Sequence, residues 1–132
     1  MNHPEYDLQC QVVKYLELQY PYVLFYSDTI ASVKLTKPQA VRNAKIQKKG
    51  FKMPDLIILH PNKFYFGLMI ELKVSSPYKK DGTLFKNEHL EGQEQTLRDL
   101  NHRGYYSCFA WTFEQVKSII DSYLKDVKSL EC

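Results

Sequence analysis

Asp55, Glu71 and Lys73 are the residues whose types and spacing could do chemistry. Hydrolysing a phosphodiester at neutral pH needs a nucleophilic water and neutralisation of the charge that builds on phosphorus; a divalent metal held by carboxylates supplies both. Asp55 opens the apolar run Asp55-Leu-Ile-Ile-Leu59, and Glu71 directly follows the run Tyr65-Phe-Gly-Leu-Met-Ile70. If the two runs form a hairpin turning around Pro61-Asn62, both carboxylates fall at one edge of the sheet and can share a metal. Side chains alternate along a strand, so in Glu71-Leu72-Lys73 the acid and the amine project to one face while Leu72 points into the core. A metal ligand and a cation then meet the same phosphate. The plain alternative is a solvated strand end, and the tripeptide alone does not decide between the two.

The elements that must hold these residues follow from the periodicity. Leu8, Val12, Val13 and Leu16 recur at helical spacing after Pro4, which predicts an amphipathic helix from Glu5 to Gln19 that Pro21 ends. The aromatic and β-branched run Tyr22 to Tyr26 reads as a strand. A second helix, with Leu90, Leu97 and Leu100 on one side, spans about Asn87 to Arg103 and stops at Gly104. Tyr105 to Trp111 reads as a strand, and Thr112 caps a last helix running to about Lys125. No repeat or low-complexity linker interrupts this order, so the 132 residues are expected to form one domain.

Charge is unevenly spread. The net charge of +3 is modest, yet no acid occurs between Thr29 and Pro54, where Lys34, Lys37, Arg42, Lys45, Lys48, Lys49 and Lys52 accumulate. Pro38 can open a short helix within this stretch and Gly50 can close it. Surfaces selected for solubility usually mix both signs, so the segment is expected to meet nucleic-acid phosphates, joined by Lys79, Lys80 and Lys86 of a later loop. A solvated helix face is the alternative. Of the ten tyrosines, most fall at strand or helix positions where core packing explains them, and Tyr78, in the lysine-bearing loop, is the one best placed for base contact. His3, His60, His89 and His102 lack metal-site spacing, though His89 is near the carboxylates in sequence.

Met53-Pro-Asp-Leu-Ile-Ile58 followed by Ile70-Glu-Leu-Lys-Val74 resembles the signature of the PD-(D/E)xK nuclease superfamily. More narrowly, Glu5 with Gln9, the basic stretch ending at Gly50 before Pro54-Asp55, Glu71-x-Lys73, and Gln93 ahead of Gly104-Tyr105 resemble a stand-alone VRR-NUC domain of phage or bacterial type. The resemblance implies an α/β, restriction-endonuclease-like αβββαβ core, a mixed central sheet flanked by helices, with a basic helical insertion between the first two strands. It implies Mg²⁺ or Mn²⁺ on Asp55, Glu71 and the backbone carbonyl of Leu72. Lys73 then orients the attacking water or stabilises the phosphorane, Glu5 adds a ligand directly or through water, and Gln93 holds a water or reaches a phosphate. Lys52-Met53 departs from the pattern, since many relatives carry a small residue or glycine there, and a proline near Gln93 is absent.

These features predict a metal-dependent, structure-selective deoxyribonuclease acting on branched DNA such as Holliday junctions, the junction preference resting on the family analogy. Symmetric cutting of a junction needs two sites, which a homodimer supplies. The alternatives are a catalytically inactive nucleic-acid-binding module of the same fold, and an end-acting or restriction-type nuclease on duplex DNA. A composition 44% hydrophobic and 25% charged excludes a disordered or fibrous chain, and no apolar run reaches bilayer-spanning length. Cys10, Cys108 and Cys132 form no CxxC pair, which fits a cytoplasmic chain without a disulfide framework or zinc ribbon.

Overall fold

The computed structural model describes residues 3–28 and 35–125. Its elements follow in the order α1 (Pro4–Gln19), β1 (Phe25–Ser27), α2 (Lys37–Lys45), β2 (Leu56–Ile58), β3 (Leu68–Leu72), α3 (Glu88–His102), β4 (Tyr106–Ala110) and α4 (Phe113–Lys125). The strands form a single sheet in the order β1-β2-β3-β4. The first two pairings are antiparallel and the third is parallel, so the sheet is mixed, as expected.

Alternation along the strands gives each sheet face its own cover. Leu56, Ile58, Leu68, Ile70, Leu72 and Ala110 point to one face, against Leu8, Val12 and Leu16 of α1 and Val116, Ile120 and Leu124 of α4. At roughly 1.5–3 kcal/mol for each fully buried side chain of this size, this layer is the main source of stability. Ile57 and Met69 point to the other face and pack with Leu100 of α3 and Tyr105. Among the described residues, no helix is long and apolar enough to cross a membrane.

Several boundaries move for identifiable reasons. β1 starts at Phe25 rather than Tyr22, because Pro21-Tyr22 forms a turn in which the Val23 N–H donates to the Tyr20 carbonyl at 3.0 Å. β3 starts at Leu68 rather than Tyr65, because Asn62 Oδ1 accepts from the N–H groups of Phe64 and Tyr65 and holds that stretch as a loop. It continues to Leu72 because β4 pairs alongside it, Leu72 opposite Ala110. The basic insertion is a helix, opened by a capping box in which Thr36 Oγ1 accepts from the Gln39 N–H and Gln39 Oε1 accepts from the Thr36 N–H. It ends at Lys45, well before Gly50, whose φ of +77° belongs to a separate turn. Gly104 ends α3 with φ +94°, and a Cβ there would lie 2.6 Å from the Phe66 ring.

Candidate active site

The β2–β3 register brings the two acids together. Leu56 pairs with Ile70, so continuing one residue outward sets Asp55 opposite Glu71, on the sheet face that α3 covers. Asp55 Oδ2 accepts the Leu72 N–H at 2.9 Å, which extends the ladder through a side chain and fixes the carboxylate against β3. The Lys73 N–H donates across to the Ala110 carbonyl at 2.8 Å. Because the peptide joining Leu72 and Lys73 is planar and trans, the Leu72 carbonyl must point the opposite way, to the Asp55 side. Two carboxylates and one carbonyl therefore converge on the same edge.

Glu71 is no solvated strand end, being only 6% exposed. Gln93, one layer above on α3, donates from Nε2 to Glu71 Oε1 at 2.9 Å. Burial raises the Glu71 carboxyl to about 9, and the Asp55 charge and a hydrogen bond with Asp55 push the same way, partly offset by Lys73. Asp55 is also raised, mainly by burial, although its bonds to Glu71 and Leu72 and the Lys73 charge pull it down. Both carboxyls are thus held above their ordinary range, and they titrate as a coupled pair. Lys73 shares the field of this pair and lies half-buried at its rim.

The helices deliver supporting groups. Glu5, in the first turn of α1, is raised by burial and by Asp55 and lowered by Lys73, which places it beside the pair. One turn on, Gln9 Nε2 donates to Ser27 Oγ at 2.6 Å and to the Asp28 carbonyl at 2.5 Å. The Asp28 N–H in turn donates to the Asp55 carbonyl at 2.8 Å. Gln9 thus ties α1 to the end of β1, and β1 to the backbone of Asp55. Asp28 itself raises Asp55 electrostatically and escaped the sequence reading. Its signal was available: an acid just beyond a strand that neighbours the Asp55 strand, hidden because the strand was placed to end at Tyr26.

The donor set is all oxygen, which suits a hard cation of the Mg²⁺ or Mn²⁺ type. A half-buried Asp55 beside a buried Glu71, and a buried Gln93 Oε1 that is unpartnered among the described residues, suit a bound cation and its waters. The residues fit the ion. Among the described residues no three His, Cys, Asp or Glu side chains form a metal-holding group, so a cation here would rest on the Asp55–Glu71 pair and the Leu72 carbonyl.

The basic residues distribute differently. Lys37, Arg42, Lys45, Lys48, Lys49 and Lys52 are all exposed, and α2 buries none of its residues. Lys79 and Lys80 are exposed in the loop after β3, whereas Lys34 lies outside the described residues, as does Cys132. Tyr78 is not free to stack on a base: its ring packs edge-on against Phe109 and Trp111, with centroids 6.1 and 6.0 Å away. Cys10 and Cys108 are free thiols.

No protein-family model and no curated protein matches the sequence. A solved structure described as a VRR_NUC domain protein superposes on this chain with a TM-score of 0.68, covering 97% of this chain and 93% of the other at 22% identity. The mixed sheet, the helices that flank it and the whole described core follow that architecture, and the chain has the VRR-NUC fold.

Proposed function

We propose that this protein is a structure-selective DNA endonuclease that hydrolyses phosphodiester bonds with Mg²⁺ or Mn²⁺ held by Asp55, Glu71 and the Leu72 carbonyl. The observation that carries the proposal is the pair of half-buried Asp55 and buried Glu71, set opposite one another, with Gln93 bonded to Glu71 and Lys73 at the rim. When bound, the cation supplies Lewis-acid activation of water and neutralises phosphate charge. The chain's own groups do the rest. Gln93 fixes the rotamer of Glu71, the Leu72 N–H fixes Asp55, and Lys73 offers its ammonium to a phosphate oxygen or the attacking water. Glu5 orders a water at the α1 side.

The exposed, acid-free surface of α2 and the turn after it supplies the duplex contact, and the loop lysines Lys79 and Lys80 extend it. Branched DNA such as a four-way junction is the preferred substrate, cut by two copies of the chain in a homodimer. Labelled duplex, flap and four-way junction DNA incubated with Mg²⁺, Mn²⁺ or EDTA tests the reading. Metal-dependent cutting that disappears in Asp55→Ala and Glu71→Ala is expected; cutting in EDTA, or full activity in either variant, refutes it.

A further inference from the structure

Lys52 is held in a way that the proposed chemistry does not use. Its backbone N–H donates to Thr96 Oγ1 at 3.4 Å, and its Nζ reaches His89 Nδ1 at 2.9 Å. Between these ends the stem lies over Gly92, where a Cβ would stand 3.6 Å from Lys52 Cε. Positions 89, 92 and 96 fall on one stripe of α3, adjoining the Gln93 that reaches Glu71. A lysine that is pinned at both ends along a helix, across a glycine, has given up most of its side-chain freedom.

The charges around it call for an anion. Among the described residues, Lys52 pairs with no carboxylate. Because an ammonium can only donate, His89 Nδ1 is the acceptor in its contact with Lys52 Nζ, and burial, Lys52 and Lys73 hold the imidazole below its ordinary pKa. His89 feels both lysines, Lys73 acts on Glu71, and Gln93, next to Gly92, is bonded to Glu71, so the Lys52 and Lys73 charges flank the end of α3 that meets the acid pair. The free N–H groups of the first α3 turn, behind the Asn87 cap, add to this field; Glu88, one turn before Gly92, and Glu91 are exposed acids of the same helix end.

We propose that Lys52, positioned by His89, binds the DNA phosphate next to the scissile one, fixing the register of the cleaved strand along α3. This rests on the nuclease reading and adds a second, preformed phosphate site to it. Lys52 is the contacting residue and His89 the positioning one.

The test uses Lys52→Ala, His89→Ala and His89→Gln, with labelled duplex and four-way junction DNA. Binding is measured in Ca²⁺ over a salt series, and kcat and KM in Mg²⁺. Lys52→Ala is expected to weaken binding about 5- to 10-fold and to make the slope of log K against log salt shallower by roughly one. KM rises in proportion while kcat changes less than about 3-fold. His89→Ala weakens binding in the same direction, and His89→Gln, whose amide oxygen can still accept from Nζ, restores it. An unchanged salt slope and KM in Lys52→Ala overturns the phosphate site, as does a loss that only tracks a lower melting temperature. A wild-type protein that binds but never cuts overturns the nuclease reading instead, and the Ca²⁺ salt slope still decides the role of Lys52.

Discussion

Replacing Glu71 by Gln tests the acid pair without disturbing its shape. The Gln amide can still accept from Gln93 Nε2 and can donate to Asp55 where protonated Glu71 now does. The Glu71 carboxyl stands near 9 in the fold against an ordinary 4.5. The folded protein therefore binds more protons than the unfolded chain throughout that window. Its contribution to stability is complete below the lower value and is lost as pH rises through the upper one. Between pH 5 and pH 8 that loss is about 4 kcal/mol at ~1.36 kcal/mol per unit. Water at the open Lys73 rim and relaxation of the pair reduce this to about 2 kcal/mol. In a domain of this size that corresponds to roughly 6–10 °C in melting temperature. In EDTA, the melting temperature of Glu71→Gln relative to wild type should rise by this amount between pH 5 and pH 8. Adding Mn²⁺ at pH 8 should stabilise the wild type and leave Glu71→Gln nearly unmoved. A difference between the two proteins that stays constant with pH, or equal Mn²⁺ stabilisation of both, refutes the coupled-acid metal site.

Three further outcomes follow from the same geometry. Lys73→Ala should lower kcat about 10²–10³-fold, with DNA binding in Ca²⁺ retained within a few-fold, as read by single-turnover cleavage and filter binding. Gln93→Ala should lower metal-dependent activity about 10- to 100-fold and raise the Mn²⁺ concentration needed for half-maximal rate, because Glu71 loses the amide that orients it. Gly104→Ala should destabilise the fold by about 1–3 kcal/mol in urea unfolding, since it forces a side chain into positive φ and against the Phe66 ring.

The two acids were legible in sequence because strand alternation and hairpin pairing are local rules. Once β2 and β3 are antiparallel neighbours, Asp55 and Glu71 can meet. Burial was not legible. A carboxylate after an apolar run reads equally as a solvated end, and only α3 closing over β3 and β4 makes Glu71 a buried acid. Packing of the loop after β3 against β4 turned Tyr78 from a candidate base-stacker into a packing residue, through Phe109 and Trp111, some thirty residues further along the chain.

Lys52 shows where reading by composition stops. In sequence it is one of seven cations in an acid-free stretch, interchangeable with Lys48 or Lys49. What separates it is contact with α3, 37 residues away at His89 and 44 at Thr96, and no periodicity within the basic segment encodes such contacts. The stem of Lys52 runs along α3 at Gly92, where a Cβ would stand 3.6 Å from Lys52 Cε, an ordinary van der Waals contact, so it is the bonds to His89 and Thr96 that fix this lysine. The basic segment is thus two parts with different physics: a freely exposed helix that supplies long-range attraction, and a single lysine whose position is fixed by the helix that also holds Glu71.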